Sequence, residues 1–263
     1  MRTEEVKAAS AARFGLNAEK YAVSKGHANA TALQALVELT RPKPDDVMLD
    51  VATGAGHTAL AFAPFVKEVV AYDLSQGMLD QTLRSAAERG LSNVRARLGD
   101  AEDMQFEGGA FDIVACRIAA HHFPDQPRFF RESARVLTPG GKLLFVDNYG
   151  PGSADLARRI EEIERLRDWT HHRTWPLEDL RRQIADAGLA IVAEETGYYD
   201  EAGPIEFEDW CRRIGTPDDA KERARALFEL AAPDLREILK ISVEKGRITF
   251  LLPKVNILAV KPS

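Results

Sequence analysis

Four aspartates follow short apolar runs, at places where an open α/β sheet would hold the residues that bind its ligand. These acids, each at or near the end of one run, are Asp50, Asp73, Asp100 and Asp147. Carboxylates there can attract a cation or accept hydrogen bonds from the hydroxyl and amino groups of a ligand. Gly54 and Gly56 follow the first acid, and glycines with this spacing let a backbone approach a nucleotide closely. The acids and glycines together predict a ligand site.

The charge of Asp50 decides between two cofactors. The stretch "GAGHTA" fits the dinucleotide fingerprint G-x-G-x-x-[GA], with Ala59 third and Asp73 close to the offset expected of a ribose-binding acid. Asp50 would repel a pyrophosphate, whereas S-adenosylmethionine has no phosphate and carries sulfonium and ammonium groups that a carboxylate attracts. Taken singly, each acid has the alternative of a helix N-cap or turn residue. Three acids at consecutive strand ends favour S-adenosylmethionine, with Asp73 accepting from the ribose hydroxyls and Asp100 from the adenine amine.

Four of the six histidines form two doublets, and a histidine is suited to general base chemistry at neutral pH. His121 and His122 follow the fourth predicted strand, where an imidazole could take a proton from a phenol, an enol or an acidic carbon. Adjacent residues cannot both face one pocket, so the alternative for one of them is packing on the sheet. His171 and His172, with Arg173, fall in a predicted lid, where a solvated loop is the alternative.

Arginines near these doublets indicate an anionic substrate. Arg117 ends the fourth predicted strand, and with Arg173 and the histidines it would form a cationic pocket for a carboxylate or phenolate. No metal site is expected, because neighbouring histidines point apart on a helix and no His/Glu triad has a recognisable spacing. Cys116 falls in an apolar strand far from Cys211, which indicates a buried, inert thiol and no disulfide framework.

The elements that position these residues follow from the hydrophobic pattern. Short apolar runs alternate with helical patterns between residues 47 and 147, which predicts a doubly wound parallel sheet with five strands in this segment. The runs "LAIVAEETGYY" and "KVNILAVKP" predict a sixth and a seventh strand. Helices inserted after the fifth strand and between the sixth and seventh are expected to form a lid. The stretch "DDAKERARALFELAAPDLREILKIS" is predicted to be helical. Pro139, Gly140 and Gly141 are predicted to end the helix before the fifth strand.

Composition narrows the class of protein. The 263 residues carry a formal net charge of -6, which disfavours a nucleic-acid surface because such surfaces need clustered basic residues. The N-terminal "MRTEEVKAASAARFGL" lacks the apolar core of a secretory signal, and no stretch approaches the roughly 18 apolar residues of a membrane span. We therefore expect a cytoplasmic protein without nucleic-acid partners or stable membrane insertion. The sequence leaves open whether the chain forms a homodimer.

Five successive motifs resemble those of class I S-adenosylmethionine-dependent methyltransferases. They are "VMLDVATGAGHTA", "VVAYDLSQGMLDQ", "LGDAEDMQF", "FDIVACRIAAHHF" and "ESARVLTPGGKLLFVDN". The similarity is greatest to the group of ubiquinone and menaquinone C-methyltransferases and YcgJ-like enzymes (methyltransferase type 11), in which Ala52 replaces the first of three glycines. It covers residues 45–150 and, more loosely, the N-terminal "FGLNAEKYAVSKGH".

This resemblance implies a Rossmann-like, doubly wound seven-stranded sheet with an antiparallel last strand, within a single domain overall. Residues 1–40 would be a helical segment through which the substrate enters, and residues 41–150 the cofactor-binding core. Residues 151–263 would add the remaining strands and the helical lid insertions.

The resemblance also implies roles for individual residues. The methionine part of the cofactor would be bound by Asp50, Thr53, Gly54 and Gly56, and the adenosine by Asp73, Leu74 and Met78. The adenine would lie on Asp100, Ala101 and Glu102, and Tyr21 and Arg117 would complete the cofactor set. His122, His121 and Arg117 would act beside the transferred methyl group, with His122 the preferred base. The substrate would meet His27, Asp147, Asn148, His171, His172 and Arg173.

The expected reaction is methyl transfer from S-adenosylmethionine to a carbon or oxygen atom of a small aromatic, quinone-like or anionic molecule. Two alternatives remain at this point. One is an NAD-dependent oxidoreductase, and the other is a non-catalytic protein that binds S-adenosylmethionine as a sensor.

Overall fold

The computed structural model describes residues 3–22, 29–197 and 203–263, and the predicted substrate residue His27 lies outside them. Within these residues the strands are β1 Val47–Val51, β2 Glu68–Asp73, β3 Val94–Leu98, β4 Phe111–Arg117, β5 Leu137–Asn148, β6 Ala190–Gly197, β7 Ile205–Glu206, β8 Ser242–Glu244, β9 Arg247–Phe250 and β10 Lys254–Val260. The helices are α1 Thr3–Leu16, α2 Ala18–Ala22, α3 Ala30–Thr40, α4 His57–Phe62, α5 Gln76–Glu88, α6 Gln126–Val136, α7 Ala154–Arg167, α8 Leu177–Asp186, α9 Phe207–Ile214, α10 Asp218–Glu229 and α11 Pro233–Ile238. Short 3-10 turns cover Ala63–Phe65 and Ala120–His122.

The main sheet has seven strands in the order β3-β2-β1-β4-β5-β10-β6. β10 pairs antiparallel with both of its neighbours, while the pairs among β1 to β5 are parallel. This confirms the predicted seven-stranded Rossmann-like sheet with an antiparallel last strand. Strand order reverses between β1 and β4, and such a reversal opens a crevice at the carboxyl ends of the strands.

Side chains from alternate strand positions fill two hydrophobic layers, one on each face of the sheet. In β1, Leu49 packs into the layer that contains Phe129 of α6 and Leu180 of α8. Its neighbour Met48 points to the opposite layer, which contains Leu79 of α5. The sheet is therefore covered by helices on both sides, as the near-continuous apolar runs of its strands require.

The chain after β6 differs from its prediction. The stretch read as helical from residue 218 is interrupted before Pro233, and its last residue, Ser242, begins β8 of a second, three-stranded sheet with the order β7-β9-β8. Lys245 and Gly246 turn β8 into β9 with φ values of 50° and 78°, which suit a tight hairpin. This sheet and α7, α9, α10 and α11 share a separate buried cluster, which includes Trp210 and Phe250.

One helix end was also predicted wrongly. Pro139, Gly140 and Gly141 do not end α6, because that helix stops at Val136 and these residues already lie within β5. Among the residues that the structure describes, no helix is both long and apolar enough to cross a membrane.

Candidate active site

A cavity lies at the carboxyl ends of β1, β2 and β4 and is covered by α1. It holds about 1110 Å³ of space free of protein atoms, with the solvent at its mouth included. Twelve of the predicted site residues line it: Tyr21, Asp50, Thr53, Gly54, Asp73, Leu74, Met78, Asp100, Ala101, Glu102, Arg117 and His122. Sequence reasoning thus brought together residues from four strand ends and from the N-terminal segment.

Asp50 holds the loop between β1 and α4 from beneath. Its Oδ2 accepts hydrogen bonds from the Thr53 hydroxyl at 2.6 Å and from the Ala59 amide at 3.0 Å. Burial raises the pKa of Asp50 to about 6, against the opposing effects of the Thr53 bond and the Arg117 charge. The carboxylate therefore combines a structural role with a negative charge at the cavity floor.

The two glycines of this loop differ in their surroundings. Gly54 has a φ of 56°, and a Cβ built on it would meet nothing within 4 Å, so its backbone borders open space. Gly56 has a φ of 85°, but a Cβ there would lie 2.7 Å from the side chain of Thr82 on α5. The structure does not place Gly56 on the cavity, and close packing of the loop against α5 accounts for this glycine.

Asp73 lies at the end of β2 in the cavity wall. Its Oδ2 accepts from the Gly54 amide at 2.9 Å and its Oδ1 from the Ser75 amide at 2.9 Å. Burial raises the pKa of Asp73 to about 6, although these backbone bonds act in the opposite direction. Each carboxylate oxygen keeps a further lone pair, so the group can accept hydrogen bonds from a ligand as well.

Lys7 of α1 binds the acids Asp100 and Glu102, a contact that was not predicted from the sequence. Its ammonium lies 2.6 Å from Asp100 Oδ2 and 2.5 Å from Glu102 Oε2. Burial would lower the pKa of Lys7, but the bonds to the two carboxylates outweigh it and raise that pKa. Lys7 therefore ties α1 to the side of the cavity that was predicted to hold adenine.

The other end of α1 closes the cavity with apolar groups. The ring of Phe14 contacts the rings of His122 and Tyr21, with centroid distances of 5.0 and 5.6 Å. Close approach of α1 to α5 depends on two glycines, since a Cβ on Gly77 would come within 3.2 Å of the Gly15 backbone. An aromatic wall thus lies against the predicted base.

Arg117 brings a positive charge to the same cavity. Its Nε donates to the hydroxyl of Thr58, in the first turn of α4, at 3.0 Å. Burial lowers the pKa of Arg117 to about 10, while the nearby Asp50 carboxylate opposes this change. The guanidinium remains charged at neutral pH and is placed to bind a carboxylate or another anion.

The two residues of the first histidine doublet face different ways, and His121, which was expected to act beside the methyl group, does not line the cavity because it pairs with Asp147. His121 is buried and its Nδ1 lies 2.6 Å from Asp147 Oδ1. Burial alone would lower the pKa of His121, but the Asp147 carboxylate raises it above the ordinary value. His122 instead lines the cavity, and burial together with the neighbouring His121 lowers its pKa, which favours the neutral ring.

A backbone carbonyl fixes the protonation of the His122 ring. Nδ1 lies 3.2 Å from the carbonyl oxygen of Thr170, which can only accept a hydrogen bond. The Nδ1 position must therefore carry the proton. In a neutral imidazole this leaves Nε2 with a lone pair that can accept a hydrogen bond or a proton.

The remaining predicted residues do not line the cavity. Asp147 is committed to His121, and the Asn148 amide donates to Asp147. His171 is buried with its Nε2 3.1 Å from Glu161 of α7, while His172 and Arg173 are exposed. The guanidinium of Arg173 instead stacks on the Trp175 ring, 3.8 Å from its centroid. These three side chains therefore do not form a cationic pocket around the cavity, because Glu161 of α7 binds His171 and the other two are exposed.

Sequence reasoning also missed His57, which lines the cavity and whose Nε2 lies 3.0 Å from the Tyr21 carbonyl oxygen. Burial lowers the pKa of His57. Within residues 3–22, 29–197 and 203–263 no group of three or more His, Cys, Asp or Glu side chains is arranged to hold a metal ion.

Comparisons with known proteins agree with this architecture. A family model of a methyltransferase domain matches residues 49–145. The uncharacterised methyltransferase YcgJ of Bacillus subtilis (strain 168) is 33% identical over 253 residues, which cover 94% of this chain and 97% of YcgJ. The crystal structure of YcgJ superposes with a TM-score of 0.82 at 32% identity, covering 89% of this chain and 99% of that one.

Two further proteins resemble parts of the chain or its fold. The demethylmenaquinone methyltransferase of Deinococcus radiodurans is 36% identical over 134 residues, which are 50% of this chain and 53% of that enzyme. The geranyl diphosphate C-methyltransferase of Streptomyces coelicolor A3(2), solved with Mg²⁺, geranyl diphosphate and S-adenosyl-L-homocysteine, shares the fold with a TM-score of 0.60. It is 18% identical, and the match covers 88% of this chain and 77% of that one.

Proposed function

We propose, because the chain belongs to the class I S-adenosylmethionine-dependent methyltransferases, that it methylates a small molecule whose accepting carbon or oxygen atom gives up a proton to His122. The observation that carries this proposal is the contact of His122 Nδ1 with the Thr170 carbonyl. It leaves the Nε2 lone pair in the wall of the cavity. Family membership also argues against the NAD-dependent oxidoreductase, which the glycine loop alone had left open.

The residues around the cavity fit S-adenosylmethionine. The open space beside Gly54 gives room at the loop, and Asp73 keeps lone pairs for the two ribose hydroxyls. Asp50 supplies negative charge for a cationic ligand, and Asp100, Ala101 and Glu102 line the side proposed for adenine. When bound, the cofactor supplies an electrophilic methyl group on a positively charged sulfur.

The chain's own residues orient the acceptor and exclude water. Methyl transfer from a sulfonium needs no nucleophilic side chain, so positioning and a dry site supply much of the rate. Helix α1 covers the cavity, and Phe14 shields the His122 ring. His122 Nε2 takes the proton of the acceptor as the new bond to carbon or oxygen forms.

The lining of the cavity favours a planar acceptor with an anionic group. Near His122 the wall is built from Phe14, Ile118, Ala119, Phe123 and Pro124, and these apolar groups suit an aromatic or quinone-like ring. Arg117, the charged group at this side, would bind a carboxylate, phenolate or enolate. We further propose that the substrate enters the core at residues 41–150 beside the N-terminal segment, residues 1–40, whose helix α1 borders the cavity.

Transfer of labelled methyl groups tests the proposal. The protein is incubated with methyl-labelled S-adenosylmethionine and a panel of phenols, hydroquinones, enolisable keto acids and aliphatic amines. We expect label on one of the first three classes, and we expect His122→Gln to lower that rate by about 100-fold. His172→Gln, at an exposed histidine, is the matched control and should keep the parent rate.

Two outcomes oppose the proposal. Binding of S-adenosylmethionine without transfer to any acceptor would favour a sensor. Transfer that is equally fast in His122→Gln would mean that His122 accepts no proton from the acceptor.

A further inference from the structure

Asp168 is linked to His122 through Thr170, and unlike His122 it does not line the cavity. It ends α7, and its side chain is 1% exposed. Its Oδ1 accepts hydrogen bonds from the Thr170 amide at 3.0 Å and from the Thr170 hydroxyl at 2.7 Å. Oδ1 of Asp168 therefore fixes the position of Thr170, including its carbonyl and hydroxyl oxygens.

Both Thr170 oxygens face the same nitrogen of His122. The carbonyl oxygen lies 3.2 Å and the hydroxyl oxygen 3.4 Å from Nδ1. Because the hydroxyl hydrogen is donated to Asp168, that hydroxyl can only accept from His122. Two acceptors thus converge on Nδ1, and both are placed by Asp168.

Asp168 is more than a turn residue. Its second oxygen, Oδ2, is buried and has no hydrogen-bond partner within the residues that the structure describes. Burying a charged oxygen in this way costs more free energy than burying the neutral amide of an asparagine in the same turn. A negative charge placed at this cost calls for an explanation beyond the turn itself.

The charges around His122 show what this carboxylate does. His121 and His171 both lower the pKa of His122, and burial lowers it further. Asp168 is the negative group that acts in the opposite direction, and the Thr170 carbonyl supports it. Nε of Arg13 on α1 lies 3.6 Å from the same Oδ1. The carboxylate therefore contacts both the helix that covers the cavity and the turn that holds the His122 ring.

We propose that Asp168 is a positioning residue: through Thr170 it holds His122 with the proton on Nδ1 and the lone pair of Nε2 toward the substrate. Its negative charge also stabilises the imidazolium that forms when Nε2 takes the acceptor's proton. The proton on Nδ1 stays in place during this step. Arg13 links this arrangement to α1. The inference rests on the function proposed above.

Ring nitrogen NMR tests the inference without knowledge of the acceptor. In protein labelled with ¹⁵N-histidine, the chemical shifts of Nδ1 and Nε2 tell which nitrogen carries the proton, and the spectrum of His122→Gln assigns the signals of His122. At neutral pH we expect a protonated Nδ1 in the parent and in Asp168→Asn, which keeps the acceptor for Thr170. In Asp168→Ala, which leaves the turn that carries the Thr170 carbonyl without its acceptor, we expect a mixture of the two tautomers.

Measurements of turnover distinguish the effect of the Asp168 charge from its structural role in the turn at Thr170. With an acceptor from the panel, Asp168→Asn should lower kcat by about tenfold or more and leave the KM for S-adenosylmethionine unchanged. Asp155→Asn, at an exposed acid in the first turn of α7, is the matched control and should change neither.

The proposal is overturned by a protonated Nε2 in the parent, or by a folded Asp168→Ala that keeps the parent tautomer. If Asp168→Ala does not fold, a folded Asp168→Asn that keeps the parent kcat overturns the proposal in its place. A titration that detects no binding of S-adenosylmethionine would instead refute the proposed function, while the tautomer of the free protein would still be measured.

Discussion

Replacement of Asp73 by alanine should weaken the binding of S-adenosylmethionine and remove part of its pH dependence. The carboxylate sits at the end of β2, and its bonds to Gly54 and Ser75 hold it toward the cavity. In our account it accepts the ribose hydroxyls, which requires the ionised form. The free protein has a pKa of about 6 at this group because of burial.

The magnitude follows from that pKa. Loss of a charge-assisted hydrogen-bonding partner costs about 1.5–3 kcal/mol, which is about 10- to 150-fold in the dissociation constant. With a pKa of about 6, roughly nine-tenths of Asp73 is ionised at pH 7 and roughly one-tenth at pH 5. The affinity of the parent should therefore fall by about tenfold over this interval through Asp73. Asp50, whose pKa is also raised to about 6, adds a second fall that Asp73→Ala retains.

Isothermal titration calorimetry with S-adenosylmethionine at pH 5, 6 and 7 measures both effects. Asp80→Ala, at an exposed acid on α5, is the matched control and should keep the parent's affinity and pH dependence. If Asp73→Ala is folded and binds as tightly as the parent at pH 7, Asp73 does not hold the cofactor. If it binds weakly but keeps the full pH dependence of the parent, the titrating group is another one.

Three other substitutions probe the cover of the cavity and the sheet beneath it. Lys7→Met should lower the free energy of unfolding in urea by about 1–3 kcal/mol, because Glu102 loses its cation while it stays buried; no change would mean that the contact is not formed in solution. Gly77→Ala should cost about 1–3 kcal/mol and speed the dissociation of S-adenosylmethionine in stopped-flow measurements, because a Cβ there displaces α1, and an unchanged rate would argue against α1 as the cover. Asp147→Asn should cost about 3–5 kcal/mol, since it breaks a buried pair. The folded pKa of His121 is raised and that of Asp147 is lowered, so the pair contributes its full stability only between about pH 4 and 6.5. Its contribution is lost as pH falls through the pKa of Asp147 or rises through that of His121. Urea unfolding from pH 3 to 8 measures this, and the difference in the free energy of unfolding between the parent and Asp147→Asn should be largest within that window.

The sheet was predictable because its information is local. The central parallel strands β1, β2 and β4 are short apolar runs with a polar residue at or near their end, and the sheet rule then brings residues as distant in sequence as Asp50 and Arg117 to one edge. The sequence left open that only one of His121 and His122 faces the pocket, since neighbouring residues cannot both face one side. The β8–β9 hairpin also had a local signal in its glycine turn, which the helical pattern before it obscured.

Contacts between distant segments could not be predicted. Lys7 is one of several charged residues of α1, and only its position in the fold shows that it reaches Asp100 and Glu102. Asp168 follows a charged helix and shows its role only through the turn that places Thr170 on His122. The second histidine doublet was expected at the cavity, but α7 provides Glu161 as a buried partner for His171 and leaves its neighbour exposed.

A crystal structure of the protein with S-adenosylhomocysteine tests the central claim most directly. We predict that both ribose hydroxyls donate to Asp73, that the adenine lies beside Ala101, and that the sulfur faces the part of the cavity lined by His122 and Arg117. A ligand bound elsewhere, or in this cavity with its sulfur turned away from His122, would contradict the account.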